Sequence, residues 1–138
     1  MEKTPQEAES GVIARYVFDA GALAAAERGK ERAARFLRLV RIGRAHILVP
    51  LPVIAEWWRG RTDAREEILA STQVVASLDA VKAAGIALGR MKHVDAKLTI
   101  DAIVMATAAL TQAIVVTGDV RDFEALASHF VGVPVLSA

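Results

Sequence analysis

Asp19, Glu56, Asp101 and Asp119 are four acids set in apolar sequence. Asp19 closes "YVFD", Glu56 lies inside "VIAEWW", Asp101 inside "LTIDAIVMATA", and Asp119 inside "VVTGDVRDF" with Asp122 close behind. A carboxylate in such a frame is costly to desolvate unless a proton, a hydrogen bond or a cation holds it. Each has an ordinary structural explanation when taken alone. Asp101 near a helix start would favour the helix dipole. Asp119 beside Gly118 suits a turn. Glu56 could pair with Arg59 three residues on. Taken together they are four acids on four separate segments. Carboxylates gathered in a low-dielectric place repel one another and must neutralise or bind cations.

The ligand chemistry points to a hard cation. There is no cysteine, and His46, His93 and His129 show no metal-ligand spacing. Oxygen donors alone favour Mg²⁺ or Mn²⁺ over Zn²⁺. Carboxylates around such ions are apparatus for phosphodiester hydrolysis, in which the metal activates water and stabilises charge on phosphate oxygens.

Short apolar runs alternate with helical segments along the chain. "IARYVFD" (13–19), "HILVP" (46–50), "QVVASL" (73–78), "AIVVTG" (113–118) and "VPVLS" (133–137) read as strands. Between them, residues 20–42 read as helix with a break at Gly29, and Ala33, Phe36, Leu37 and Val40 recur on one helical face. A helix from Pro52 to about Arg59 is stopped by Gly60. Thr62 to Ala70 is a further short helix. Asp79 is the expected cap of a helix reaching Met91, Thr99 that of a helix over 100–112, and 123–130 is a last helix. Strands alternating with helices predict an α/β chain: a three-layer α/β/α sandwich around a mainly parallel sheet. Such sheets bind ligands at the carboxyl ends of their strands, where Asp19 and Asp119 fall.

Bulk numbers exclude several classes. The chain has 138 residues, 54% of them hydrophobic and 24% charged, with a formal net charge of +1. That is one domain's worth of chain with enough apolar content for a core. The opening "MEKTPQEAESG" is polar and lacks the apolar segment of a signal peptide. The apolar run 102–110 is far too short for a membrane span. The expectation is a cytoplasmic protein with no membrane contact and a disordered or extension tail over 1–11.

In order and spacing, "FDAGAL", "VIAEWWRG", "TIDAIVMATAA" and "VVTGDVRDFEAL" resemble the PIN-domain nucleases, and within them the VapC-like toxins of type II toxin–antitoxin pairs. The resemblance covers nearly all of 12–138, which it implies is a single PIN-like domain. It implies a Mg²⁺- or Mn²⁺-dependent endoribonuclease, a homodimer and a cognate antitoxin. Asp19, Glu56, Asp101 and Asp119 match the acidic quartet, as catalytic and metal-binding residues, and Asp122 matches a more variable fifth metal-binding acid. Asp19, Asp101 and Asp119 would mainly ligate metal, while Glu56 would orient the attacking water. Thr117 matches the small hydroxyl residue before the last acid. One position departs from the pattern: many members have Ser or Thr where Gly21 stands. Asp95 is an extra acid read as a loop or cap residue. The other reading of the resemblance is a PIN-like domain that binds RNA or protein without cutting.

Other acid-bearing α/β folds fit less well. A receiver domain needs an adjacent acidic pair near the first strand and a Lys at a late strand end. A haloacid-dehalogenase phosphatase needs Asp-x-Asp where this chain has Asp19 and Gly21, and a dinucleotide fold needs a Gly-rich turn there. For RNA, residues 28–44 hold seven basic side chains and one acid, Glu31, which is either a phosphate-binding stretch or a solvated helix face. Trp57 and Trp58 pack in the core, or one of them faces a groove that takes an antitoxin helix or a base.

Overall fold

The strands are short and their apolar runs nearly unbroken, which dictates a sheet covered on both faces. The computed structural model describes residues 13–138, and the expected tail over 1–11 lies outside them. Five strands form the sheet: β1 (Ala14–Phe18), β2 (Ala45–Pro50), β3 (Gln73–Val75), β4 (Ile114–Thr117) and β5 (Val135–Ser137). Every neighbouring pair is parallel, and the order is β3-β2-β1-β4-β5.

The helices are α1 (Ala20–Glu27), α2 (Glu31–Arg41), α3 (Leu51–Trp57), α4 (Asp63–Ala70), α5 (Leu78–Leu88), α6 (Ala96–Thr111) and α7 (Glu124–Ala127). A 3₁₀ turn over Val120–Phe123 precedes α7. α1 packs on α2, α3 and α4, whereas α5 packs on α6, which crosses β1, β2 and β4. Right-handed crossovers from β1 to β2 to β3 place α1–α4 on one face. The return from β3 to β4 places α5 and α6 on the other. This is the expected three-layer sandwich. Its core runs through the sheet from Phe18, Val49 and Val115 to Leu23 and Val53 on helices of one face and Met105 on α6, all fully buried. Tyr16 and Phe18 both meet the Phe36 ring edge-on, which fixes α2 on the sheet. Buried Ala80, Ala84 and Ala87 of α5, with Ala102 and Ala106 of α6, keep side-chain bulk off the second layer.

Element ends differ from the sequence reading in ways that matter for the site. Gly29 does break the first helix, with φ +70°. α3 ends at Trp57, and Trp58 is extended, so Arg59 lies outside the helix. Ser77, not Asp79, caps α5, its Oγ accepting from the Ala80 N–H. Asp95, not Thr99, caps α6: its Oδ1 accepts from the Leu98 N–H at 2.7 Å. The earlier start puts Asp101 more than a turn inside the helix, too deep for the dipole of the helix end to account for it. β3 and β5 are three residues each, shorter than the apolar runs that announced them.

The strand order reverses direction between β1 and β4, which lie side by side with Phe18 level with Val116. Loops leaving two such strands for opposite faces open a crevice at the carboxyl edge of the sheet. Asp19 and Asp119 stand at its two lips.

Candidate active site

Asp19 is fixed from two sides. It caps α1, its Oδ1 accepting from the Ala22 N–H at 2.8 Å. Its Oδ2 accepts from the Thr117 hydroxyl at 2.5 Å. The same Thr117 oxygen accepts from the Asp119 N–H at 3.1 Å, so one hydroxyl ties the two strand-end acids together. Asp19 is only 6% exposed. Burial pushes its carboxyl above the usual range, while Thr117, the Ala22 and Gly118 N–H groups and the Lys97 charge oppose the shift.

Asp101 comes from α6 and is buried. Burial pushes its carboxyl up to about 6, and the nearby charges of Asp19 and Glu56 add to that push. The Lys97 ammonium, 3.1 Å from Oδ2, is outweighed. Glu56 comes from α3 and is half-buried. Burial raises its carboxyl too, helped by Asp19 and opposed by Lys97 and Arg59. Arg59 spends its Nε–H on the Glu56 main-chain oxygen, 3.1 Å away. These mutual effects place Asp19, Glu56 and Asp101 in one another's field, and they are the acids the fold desolvates.

The remaining two acids lie at the rim. Both oxygens of Asp119 accept from Arg121 at 3.2 Å, and its carboxyl is held below the usual range by that guanidinium. Asp122 Oδ2 is 3.1 Å from Lys97 Nζ. Burial pulls the Lys97 ammonium down, but its bonds to Asp101 and Asp122 outweigh this and hold it above its ordinary value.

Lys97 is the site residue that sequence reasoning missed. The signal was its i, i+4 spacing to Asp101, which needs a helix already begun at Ala96. The basic stretch 28–44 contributes less than expected: Arg35 and Arg38 pair with Glu31 on the exposed face of α2. The cations acting on the acids are Lys97, Arg59 and Arg121. Both tryptophans pack inward. Trp57 is 4% exposed, and Trp58 lies edge-on to it and against the core.

Among the described residues no three acidic or histidine side chains are already gathered as a cation cage. The donor chemistry nevertheless fits a hard cation. The five acids offer oxygens only, and the Lys97 ammonium shows that the gap between Asp101 and Asp122 draws positive charge.

A model of the PIN domain family matches residues 16–128. The chain belongs to the PIN domain family. No curated protein matches it. Solved structures of similar fold include a chain of VapBC2 from Rickettsia felis, crystallised with a promoter DNA fragment. The identity is 13%, the TM-score 0.63, and the match covers 90% of this chain and 98% of that one. PAE2754 from Pyrobaculum aerophilum matches at 19% identity and TM-score 0.57, covering 91% and 92%. VapC20 from Mycobacterium tuberculosis, a toxin that cleaves the sarcin–ricin loop, matches at 20% identity and TM-score 0.57, covering 86% and 98%. At these identities the likeness is one of fold. It places this PIN domain with VapC toxins in architecture. Among the described residues no helix is long and apolar enough to cross a membrane.

Proposed function

We propose that this PIN domain is a divalent-metal-dependent endoribonuclease that serves as the toxin of a toxin–antitoxin pair. The observation that carries the proposal is the desolvation of Asp19, Glu56 and Asp101 at the crevice between β1 and β4, with burial raising all three carboxyls. Such a group gains most from a hard cation. Asp19, Glu56 and Asp101 would hold Mg²⁺ or Mn²⁺, while Asp119 and Asp122 at the rim are paired with Arg121 and Lys97. The bound ion would supply positive charge for the phosphate oxygens and an acidified water.

The chain's own residues do the positioning. Thr117 and the Ala22 N–H lock the Asp19 carboxylate in one orientation. Glu56, more open to solvent than Asp19 or Asp101 and with a raised affinity for protons, takes the proton of the attacking water. Water adds to phosphorus as the bond to the leaving ribose oxygen breaks, and that oxygen takes up a proton from solvent as it departs. Arg59, Lys97 and Arg121 line the approach for the RNA backbone. The RNA-cleaving VapC20 and the VapBC2 assembly support an RNA substrate and an antitoxin partner. A homodimer is supported by Leu51, Leu78 and Val81, which remain exposed around an apolar groove.

The test is Mn²⁺-dependent cleavage of single-stranded RNA by the parent and by Asp101→Asn. The variant should lose on the order of 100-fold or more in rate, with an unchanged circular dichroism spectrum. Cleavage by Asp101→Asn at the parent rate removes the site assignment. Binding of RNA by a parent that never cuts with Mn²⁺ leaves the non-cutting PIN domain as the correct reading.

A further inference from the structure

Lys97 stands between two carboxylates of the site. It lies in the first turn of α6, one turn ahead of Asp101. Its Nζ is 3.1 Å from Asp101 Oδ2 and 3.1 Å from Asp122 Oδ2. The two carboxylates come from different elements, α6 and the turn after β4, so the ammonium ties the two together. The Lys97 side chain is 56% exposed and that of Asp101 only 5%, so the cation faces a buried acid on one side and solvent on the other.

An exposed i, i+4 ion pair contributes little and has no bearing on ligands. Three features set this one apart. One partner is buried, so removing the ammonium would strand a desolvated charge. A second acid from another element shares the same ammonium. The charge of Lys97 also acts on Asp19, Glu56 and Asp119, the other acids of the site.

Charge balance decides how many ions the cluster suits. Lys97 and Arg121 neutralise two of the five carboxylates Asp19, Glu56, Asp101, Asp119 and Asp122. One divalent ion nearly balances the three that remain, and two would leave the site positive. An ammonium also has three N–H donors. Two are directed at Asp101 and Asp122, which leaves the third for a phosphate oxygen.

We propose that Lys97 is a built-in cation of the site: this PIN domain binds one divalent ion at Asp19, Glu56 and Asp101, and Lys97 stands in for a second and contacts the RNA phosphate. The proposal rests on the metal-dependent reading of the acids and adds the number of ions and a phosphate ligand to it.

The experiment is a calorimetric Mn²⁺ titration of the full chain, as parent, Lys97→Met and Lys97→Arg. The parent and Lys97→Arg should take up one ion per chain. Lys97→Met, which keeps the stem and loses the charge, should take up a second ion, because Asp101 and Asp122 are left without a cation. Its KM for RNA should rise while Lys97→Arg holds near the parent. A lysine that only braces the helix would leave the ion count unchanged. Two ions in the parent, or one ion of parent affinity in a folded Lys97→Met, overturns the proposal and leaves the nuclease reading standing. No ion in any of the three overturns both. The parent's count needs no variant, so the test survives a Lys97→Met that fails to fold.

Discussion

Gly21 and Gly118 meet backbone to backbone: a Cβ built on Gly21 would stand 2.9 Å from the Gly118 Cα. Gly21 is in the first turn of α1 and Gly118 follows β4, so the contact brings the two lips of the crevice together. It is also what brings Thr117 within reach of Asp19. A side chain at Gly21 has no room here, and the hydroxyl that binds Asp19 comes from Thr117 on the opposite lip.

Gly21→Ser is therefore expected to destabilise rather than to restore a lost catalytic aid. The neighbour is backbone, which cannot swing aside, so the cost should be about 1–3 kcal/mol. A melting curve should drop by several degrees, and cleavage should fall as Asp19 loses its register with Thr117. A Gly21→Ser chain that melts with the parent and cuts faster would show that the glycine contact is loose and that a second hydroxyl helps.

Glu27 should be the ion-pair residue on which the α1–α3–α4 layer most depends. Its Oε1 accepts from Trp57 Nε1 at 3.0 Å, and its Oε2 pairs with Arg65 at 3.1 Å. Arg65 also donates to the Gly60 carbonyl at 2.7 Å, while its buried Nε has no hydrogen-bond partner. Glu27→Ala would leave the guanidinium poorly solvated and the indole N–H unpaired. We expect a loss of about 1–3 kcal/mol in urea unfolding, less than a fully buried pair because both side chains keep some solvent contact. Glu27→Gln, which keeps an acceptor for Trp57, should lose about half as much. Equal stability of all three chains would mean that apolar packing alone holds this layer.

The acids were legible in the sequence because burying a carboxylate is rare enough that its apolar surroundings announce it. Asp19 and Asp101 needed only "YVFD" and "TIDAIVM" to be picked out. The parallel sheet was legible for the same reason, since β2 and β4 are apolar without alternation. What stayed hidden depends on helix starts and on long-range approach. Asp95 competes with Thr99 for the cap of α6, and moving the start by a few residues is what puts Lys97 on the same helix as Asp101. The Thr117–Asp19 bond spans 98 residues and needs β1 and β4 side by side and Gly21 close against Gly118. The tryptophans left two readings open because an adjacent pair on a regular helix diverges; α3 ends between them and Trp58 turns back onto the core, as the core-packing reading had it.

Metal-free stability should fall as pH rises from about 4 to about 6. Burial, and then the charges of Asp19 and Glu56, push Asp101 up to about 6 from 3.8, in spite of Lys97. Between these values the folded chain keeps a proton that the unfolded chain has released. The stabilisation is complete below the lower value and is gone above the upper one. Its size is on the order of 3 kcal/mol. Asp19 and Glu56, also raised, act in the same direction. The exposed Glu31 and Asp119, both lowered by arginines, act in the opposite one. Comparing the parent with Asp101→Asn in EDTA isolates the buried acid. The variant's stability should depend less on pH and should exceed the parent's near neutrality, where the parent must bury a charge that the amide lacks. Mn²⁺ should then stabilise the parent more than the variant. Asp119→Asn should gain nothing in EDTA, because that carboxylate is exposed and already paired with Arg121. If Asp101→Asn is less stable than the parent near neutrality, with an unchanged pH slope, the Lys97 pair dominates over burial and Asp101 is a structural acid.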